Sequence, residues 1–351
     1  MKHDSFAFAL IGLCLFVAAF LFAGDRLFVD DTSDSGGAGS WTFAVVCDTR
    51  GDNKNTTGKS GINDVIVELI AKSVADEKCD LVIFPGDMAN GWSKNGSTTY
   101  AEQFENWKRA MGPVYEAGIK VYSVKGNHEN GPLPSRTYPY NPIPYPALKE
   151  AYLEAFEGNL SEYGLKDSGP EGEEYLTYSF EHENALFIGL DQYVRPHRVN
   201  QAWLDEQLAN NSKPYVFVFG HEPAFEVNHP DCLAVYTNDR NAFWDSISKA
   251  GCRMYFCGHD HFYNRARIQN ESGAGIEIQQ VLAGSCGAPF PSPSWDGSYN
   301  DSSVELEYFN DKDYGYVLVT VYEDHVDAEW RALTWTPEDE FIITTIRAPA
   351  S

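Results

Sequence analysis

The chain has little positive charge. It carries 26 Lys and Arg residues against 51 Asp and Glu residues, which gives a formal net charge of −25. Such a surface repels phosphate backbones, so binding of nucleic acid through a basic face is excluded. The same field repels a small phosphorylated ligand unless cations lie in the binding site, which is a first indication of metal.

Three common reaction motifs are also absent from the sequence. None of the seven cysteines forms a Cys-x-x-Cys pair, which disfavours a thiolate zinc site. Six residues separate Gly51 from Gly58, whereas a phosphate-binding P-loop needs four, so a P-loop nucleotide hydrolase is excluded. The segment Gly284–Gly287 does not match the Gly-x-Ser-x-Gly elbow of serine hydrolases.

Six cysteines follow Cys14, and this even number permits disulfides without indicating how they pair.

The N-terminal segment predicts export. Phe6 to Ala23 is an eighteen-residue apolar run without a charge, preceded by Lys2 and followed by acidic residues. Its length is sufficient to cross a bilayer, and the charge bias puts the remainder of the chain outside. We slightly favour an uncleaved anchor over a cleaved signal peptide. The predicted organisation is a signal or anchor segment (1–28), a flexible linker (29–40), one globular domain (41–335) and a C-terminal tail (336–351).

Apolar runs and helical spacing alternate along residues 41–335, which predicts an α/β fold. Amphipathic helices are indicated around Ile62–Ile70, Phe104–Trp107, Trp203–Leu208 and Ala242–Ile247. Two stretches, 130–147 and 287–303, are rich in Pro and predict long loops. Strands are predicted at Thr42–Cys47, Leu81–Phe84, Val121–Val124, Tyr175–Phe180, Ala185–Leu190, Tyr215–Phe219, Met254–Cys257, Ile276–Leu282, Tyr314–Val321 and Val326–Ala332.

Polar side chains follow five of these strands directly. They are Asp48, Asp87, Asn127 with His128, His221, and His259 with His261. In open α/β sheets the carboxyl ends of the strands meet at one edge, where ligands bind. In four of the five cases a Gly precedes the ligand, which predicts a sharp turn there.

These side chains form a mixed nitrogen and oxygen ligand set. Three His, two Asp and one Asn suit Zn, Mn or Fe better than calcium, which prefers oxygen alone. A shared carboxylate such as Asp87 could bridge two metals roughly 3.5–4 Å apart, the geometry used in phosphoryl transfer. The sequence therefore predicts two divalent or trivalent metal ions without fixing their identity.

The series GD, GNHE, GHEP and GHDH, in this order and after strands, resembles the calcineurin-like metallophosphoesterase superfamily. The stretches NQAWLDEQL, YVFVFGHEPAF and CGHDHFYNR look most like its purple acid phosphatase-like branch. The similarity runs from about Trp41 to about Ala332. It implies a four-layer sandwich of two mixed β-sheets flanked by helices, with the ligands at the carboxyl ends of strands.

The resemblance also implies residue roles. His128 would contact the substrate phosphate or protonate the leaving oxygen, and a metal-bound hydroxide would attack phosphorus in line. The first metal would be held by Asp48, Asp87 and His261, and the second by Asp87, Asn127, His221 and His259.

Two positions depart from the family pattern. Many members have a His two residues after the first Asp, where this chain has Arg50; purple acid phosphatases have a Tyr three residues after the second Asp, where this chain has Asn90. Arg50 cannot ligate a metal because it stays protonated, but its fork could clamp a phosphate; a structural ion pair is equally compatible. Asn90 could supply an oxygen ligand or could be a turn residue. The first metal site is therefore expected to bind weakly.

Three functions are compatible with these residues. The leading hypothesis is hydrolysis of small phosphate esters, with phosphomonoesters favoured, by an exported enzyme that touches the membrane only through its N-terminus. A phosphodiesterase or nucleotide hydrolase of the same fold is the first alternative, and a catalytically degenerate binding module is the second. We assign no role to His182, His197, His229 and His325, and we interpret Glu129 and Asp260 as supporting residues. The sequence does not indicate an oligomeric state.

Overall fold

The computed structural model describes residues 39–51, 60–91, 98–130, 145–269, 276–333 and 337–344. The predicted N-terminal anchor and most of the predicted linker lie outside these ranges, so export stays a prediction. Within the described ranges, no helix is both long enough and apolar enough to cross a bilayer.

The described strands form two sheets. The six-stranded sheet has the order β13-β12-β11-β1-β2-β3, and the seven-stranded sheet has the order β10-β8-β9-β7-β6-β5-β4. The strands are β1 (Trp41–Val45), β2 (Leu81–Phe84), β3 (Lys120–Ser123), β4 (Tyr178–His182), β5 (Ala185–Leu190), β6 (Tyr215–Gly220), β7 (Met254–Cys257), β8 (Tyr263–Ile268), β9 (Ile278–Ala283), β10 (Val304–Asn310), β11 (Gly315–Val321), β12 (His325–Ala332) and β13 (Pro337–Thr344).

Both sheets are mixed. In the first, β1, β2 and β3 are parallel, and β11, β12 and β13 add antiparallel strands beside β1. In the second, β5, β6, β7 and β9 are parallel, and β4, β8 and β10 pair antiparallel at its sides. The parallel strands lie at one side of the first sheet, with β3 as its edge strand, and in the middle of the second sheet. In both sheets their carboxyl ends face one edge.

Helices cover the outer faces of the two sheets. They are α1 (Asp64–Asp76), α2 (Tyr100–Ala110), α3 (Gly112–Glu116), α4 (Asn127–Asn130), α5 (Tyr145–Tyr163), α6 (Gln201–Ala209) and α7 (Thr237–Lys249), with a 3-10 helix at Leu233–Tyr236. The start of α2 is fixed by a capping box, because Thr99 and Glu102 satisfy each other's backbone N–H groups.

Three apolar cores separate the four layers. Between the sheets, Phe43 of β1 packs against Phe217 of β6 with ring centroids 5.0 Å apart. A second core joins the first sheet to α1, α2, α3 and α5, and a third joins the second sheet to α6 and α7. The predicted four-layer α/β sandwich is confirmed. Burial explains the strand patterns: β2 is buried at every position, whereas β12 alternates between buried and half-buried residues.

Several elements differ from the sequence predictions. Helix α5 and strands β8, β10 and β13 were not predicted. The predicted domain end at residue 335 is too early, because Pro337–Thr344 continues the first sheet by pairing with β12. The predicted loop 287–303 contains neither helix nor strand, whereas the end of the other predicted loop, 130–147, belongs to α5; residues 131–144 lie outside the described ranges.

The six cysteines of the described ranges are all buried and free. The sequence permitted disulfides because the number of these cysteines is even, but no two of the six form a disulfide bond. Cys257 ends β7 and Cys47 lies two residues beyond the end of β1; both are fully buried, as small apolar residues often are. Burial raises the pKa of the Cys252 thiol to about 12, which keeps it protonated and unreactive.

Candidate metal centre

The predicted ligands come together where the two sheets meet. Asp48 follows β1, Asp87 follows β2 and Asn127 follows β3, so the first sheet supplies one side of the site. The second sheet supplies the other side, with His221 after β6 and the segment His259–His261 after β7. The carboxyl ends of five strands thus supply one cluster, as the sequence predicted.

Three residues of this cluster adopt positive φ angles. The angles are 56° for Asp48, 56° for Asp87 and 75° for His259, all in the left-handed region that non-glycine residues rarely enter. Such conformations persist only where surrounding contacts impose them, and they concentrate at functional sites. Here the Asp48 side chain helps to fix His259, because its Oδ2 accepts the His259 backbone N–H at 3.0 Å.

The glycines before the ligands act mainly by leaving room, rather than by turning sharply as predicted. A Cβ at Gly126 would collide with Asp87 Oδ1, and one at Gly258 would collide with the Asp48 carboxylate. Gly86 is the one of the four preceding glycines that has a positive φ, at 97°. The lack of a side chain at Gly126 and Gly258 therefore lets the loops after β3 and β7 lie in contact with the Asp87 and Asp48 carboxylates.

The predicted second ligand set converges around Asn127. Its Oδ1 lies 2.9 Å from His221 Nε2 and 3.1 Å from His259 Nδ1, and His221 Nε2 lies 3.4 Å from Asp87 Oδ1. His221 Nδ1 donates to the Pro85 carbonyl at 2.8 Å. Burial lowers the pKa of His221 to about 4, so the ring has one proton, and Nε2 offers a lone pair.

His259 holds a proton where a metal would otherwise bind. Although burial opposes it, the hydrogen bond and charge of Asp231 raise the pKa of His259 to about 10. Its Nε2 lies 3.4 Å from Asp231 Oδ1, and its protonated Nδ1 donates to Asn127 Oδ1. The proton on His259 is the positive charge that balances the oxygen and nitrogen acceptors of this set. A metal cation that displaces this proton would balance them in the same way, so the set fits a metal.

The predicted first ligand set is also assembled, but Arg50 lies within it. Asp48, Asp87 and His261 each offer a ligand atom, and these atoms lie within 4.8 Å of one another. His261 Nδ1 donates to the Pro289 carbonyl at 3.0 Å, which leaves Nε2 as an acceptor. Burial and the neighbouring Asp87 carboxylate raise the pKa of Asp48, as expected where two carboxylates share a site.

His128 lies beside the carboxylates at the start of α4. Its Nδ1 donates to the backbone carbonyl of Asn90 at 2.7 Å, and its Nε2 lies 3.8 Å from Asp87 Oδ2. Burial and the charge of Arg50 lower the pKa of His128 to about 4, so its Nε2 is an acceptor in the free protein. Asn90 thus orients His128 through its backbone; an additional ligand role for its side chain stays a prediction.

Glu129 and Asp260 support the site, as predicted from the sequence. Glu129 is fully buried and accepts the backbone N–H groups of Asp87, Ala89 and Gly126 at 2.8, 3.2 and 2.8 Å. Asp260 accepts the backbone N–H of His229 at 3.0 Å and pairs with its ring Nδ1. Both carboxylates therefore connect loops that carry ligands.

Sequence reasoning missed two residues of the site, His229 and Asp231. The His229 ring lies 5.1 Å from the His259 ring and 6.3 Å from the His261 ring. Both residues belong to the segment between β6 and the 3-10 helix, which has no strand to indicate where its side chains go. The His-Pro-Asp spacing alone gives no signal, so only the folded chain identifies them.

Asp231→Asn is expected to weaken metal binding by roughly 10- to 100-fold, because a carboxylate on the far nitrogen of a metal-binding His orients the ring and raises its basicity. The dissociation constant for Zn²⁺ or Mn²⁺, measured by competition with a chromophoric chelator, tests this. Asp239→Asn on the exposed side of α7 makes the same charge change as a control. Equal affinities in both variants would show that Asp231 has no such role.

Comparison with known families agrees with this geometry. The profile of the family described as calcineurin-like phosphoesterase matches residues 42–263, more than half of the chain. The chain belongs to the calcineurin-like phosphoesterase family. The matched range includes Asp48, Asp87, Asn127 and the three ligand histidines.

Individual relatives of this calcineurin-like phosphoesterase are acid phosphatases. The chain is 30 % identical over 114 residues to tartrate-resistant acid phosphatase type 5 of Oryctolagus cuniculus, a match that covers 32 % of this chain and 31 % of that protein. It superposes on a purple acid phosphatase from yellow lupin (Lupinus luteus) with a TM-score of 0.61 and 16 % identity, covering 88 % of this chain and 54 % of that one. These neighbours support the purple acid phosphatase-like branch. The chain thus spans a third to about half of their lengths.

The same fold also occurs in proteins that are not named acid phosphatases. A dimetal phosphatase from Danio rerio superposes with a TM-score of 0.52 and 15 % identity, covering 87 % of this chain and 98 % of that one. The GAP50 anchor of the inner membrane complex of Plasmodium gives a TM-score of 0.55 and 15 % identity, covering 88 % and 90 %. At such identities the likeness shows the fold alone, and function has to be argued from the site.

Proposed function

We propose that this protein is a metal-dependent phosphoesterase that hydrolyses small phosphomonoesters. The observation that carries the proposal is the convergence of Asn127 Oδ1, His221 Nε2 and His259 Nδ1 beside the Asp87 carboxylate. Asn127 Oδ1, His221 Nε2 and the Asp87 carboxylate are acceptors, and buried acceptors side by side have little chemical use except to hold a cation. The acid phosphatase relatives support the reaction class.

Asp87, Asn127, His221 and His259 would hold the metal. When bound, it supplies a Lewis acid for a phosphoryl oxygen and lowers the pKa of a water molecule. The chain's own residues would orient the substrate: Arg50 would offer guanidinium donors to the phosphate, one of the two roles that the sequence left open. His128 and His229 offer imidazole groups on two sides of the cluster. A bound phosphate would favour protonation of His128 Nε2, and each ring could then hold a phosphate oxygen or pass a proton to the leaving oxygen.

A cavity next to the cluster suits the alcohol part of a monoester. Its volume is about 520 Å³, within the range of ligand pockets, and His229 and His261 are among the residues that line it. Pro289, Phe290 and Trp295 give it an apolar wall, and Asp296 adds a negative charge. A second phosphate group in the substrate would meet that charge, so we propose an uncharged, partly apolar or aromatic leaving group.

Hydrolysis assays on the full-length chain test this function. With added Mn, Zn or Fe, a chromogenic aryl phosphomonoester is expected to be turned over faster than the matching bis-aryl phosphodiester. Phe290→Ala is expected to lower kcat/KM about tenfold for the aryl monoester, with a smaller effect on a short alkyl phosphate, since losing one apolar contact costs about 1–3 kcal/mol. His128→Gln and His229→Gln are each expected to lower kcat/KM for both monoesters.

The possible outcomes separate the alternatives. Faster cleavage of the diester would overturn the monoester proposal and favour a phosphodiesterase. Metal binding without turnover of either ester, under any of the three metals, would favour the degenerate binding module. Arg50 within the first ligand set is the structural feature that keeps this second candidate open.

A further inference from the structure

The Arg50 side chain occupies the space between the ligands of the first set. Its Nη2 lies 3.3 Å from His261 Nε2, and its Nε lies 3.7 Å from Asp87 Oδ2. Only 13 % of the side chain is exposed. The guanidinium group therefore faces inward, onto the same atoms that a first metal would need.

These contacts balance charge more than they satisfy hydrogen bonds: among the described residues, Asp48 Oδ1, Asp87 Oδ2 and Arg50 Nε have no hydrogen-bond partner. His261 Nδ1 donates to Pro289, so its Nε2 can accept from Arg50. The carboxylates of Asp48 and Asp87 lie on the other side, and a guanidinium is a permanent cation that matches carboxylate and imidazole acceptors. Arg50 thus supplies a positive charge beside the Asp87 carboxylate and a donor to His261 Nε2.

A metal ion in the first set would compete with this arrangement. Metal–nitrogen bonds to His are about 2.0–2.1 Å long, so an ion on His261 Nε2 would lie in the space that the Arg50 guanidinium fills. The two cations would repel each other strongly in so buried a place. The set also lacks the His ligand that many family members carry at the position of Arg50.

We infer that Arg50 is the resident cation of the first ligand set, so that the protein holds a single metal ion, at Asp87, Asn127, His221 and His259. This inference rests on the proposed metal-dependent function. It makes Arg50 the group that replaces one ion of a two-metal centre, and its charge stays available to the substrate phosphate.

Metal content decides the question without an activity assay. The full-length chain is saturated with Mn²⁺, freed of excess metal and analysed by elemental analysis and electron paramagnetic resonance. The wild type is expected to hold one Mn²⁺ per chain with the signal of a magnetically isolated ion. Arg50→His removes the charge and restores a ligand, so it is expected to hold two ions with a spin-coupled signal.

Two further variants complete the design. Arg50→Ala opens the site without adding a ligand, so it is expected to take up a weakly bound second ion. Arg195→His, on a side chain that is 54 % exposed and pairs with Glu173, controls for the substitution itself. It is expected to keep the metal content of the wild type.

Each remaining result contradicts the inference in a distinguishable way. Two ions in the wild type would overturn it and leave the phosphoesterase function intact. One ion in the wild type and one in both Arg50 variants would show that Arg50 does not exclude the second. No ion in the folded wild type would overturn the inference together with the proposed function.

Discussion

Asp87→Asn is expected to lower kcat/KM for a phosphomonoester by at least roughly 10³-fold, about 4 kcal/mol of transition-state stabilisation. Asp87 contacts both ligand sets: its Oδ1 lies 3.4 Å from His221 Nε2 and its Oδ2 lies 3.7 Å from Arg50 Nε. Although burial opposes it, His221, His128 and Arg50 lower the pKa of Asp87, so the native residue is a carboxylate. The Asn side chain has no charge, and an NH₂ group replaces one of the two carboxylate oxygens. This NH₂ group is a hydrogen-bond donor and cannot ligate a metal.

The substitution is expected to spare the fold, so that a loss of activity can be attributed to the site. Asn has nearly the shape of Asp, and it is one of the few residues that tolerate the φ of 56° at this position. Asp80→Asn, an exposed residue just before β2, is the matched control. Metal content, melting temperature and kcat/KM should be measured on the same preparations. Activity within tenfold of the wild type would contradict a ligand role for Asp87.

Glu129→Ala is expected to destabilise the protein by roughly 3–5 kcal/mol, because three buried N–H groups lose their acceptor at about 1–3 kcal/mol each. These donors belong to the loop after β2 and the loop after β3. Removal of Glu129 therefore loosens the two loops that carry Asp87 and Asn127. Metal affinity should fall together with stability.

Thermal unfolding checks this expectation. At about 2–4 °C per kcal/mol, the melting temperature of Glu129→Ala should fall by on the order of 10 °C. Glu129→Gln keeps one acceptor oxygen and should give an intermediate shift. Glu157→Ala, on the exposed side of α5, should change stability by no more than about 0.5 kcal/mol. A Glu129→Ala melting temperature indistinguishable from that of Glu157→Ala would show that the carboxylate does not hold the loops.

The central strands could be predicted because their signals are local. Leu81–Phe84 and Met254–Cys257 are continuous apolar runs, and the structure has both strands at those bounds. The strands β8 and β10 were missed because polar and charged residues interrupt their apolar residues, so neither has the continuous apolar run of the central strands. In β10 no residue is fully buried, so its sequence carries no apolar run to recognise. The partner strand, rather than the segment itself, determines such a strand.

The ligand cluster shows the same division at the level of single residues. The sequence by itself determined which side chains follow the buried strands, because an apolar run, a small residue and a polar residue are neighbours along the chain. From that order it could indicate a metal site, its nitrogen and oxygen ligands and the family. It could not show that Arg50 lies within the first ligand set. It also gave no signal for Asp231 or for the three backbone hydrogen bonds that Glu129 accepts.

Only the tertiary structure decided those points. Arg50 and His261 are 211 residues apart in the chain, and the contact between them depends on how the two sheets pack against each other. Asp231 reaches His259 from an irregular segment whose path depends on the surrounding contacts. Periodicity and motif spacing report on neighbours within one strand or helix, whereas the charge balance of a buried site is a sum over side chains from distant segments.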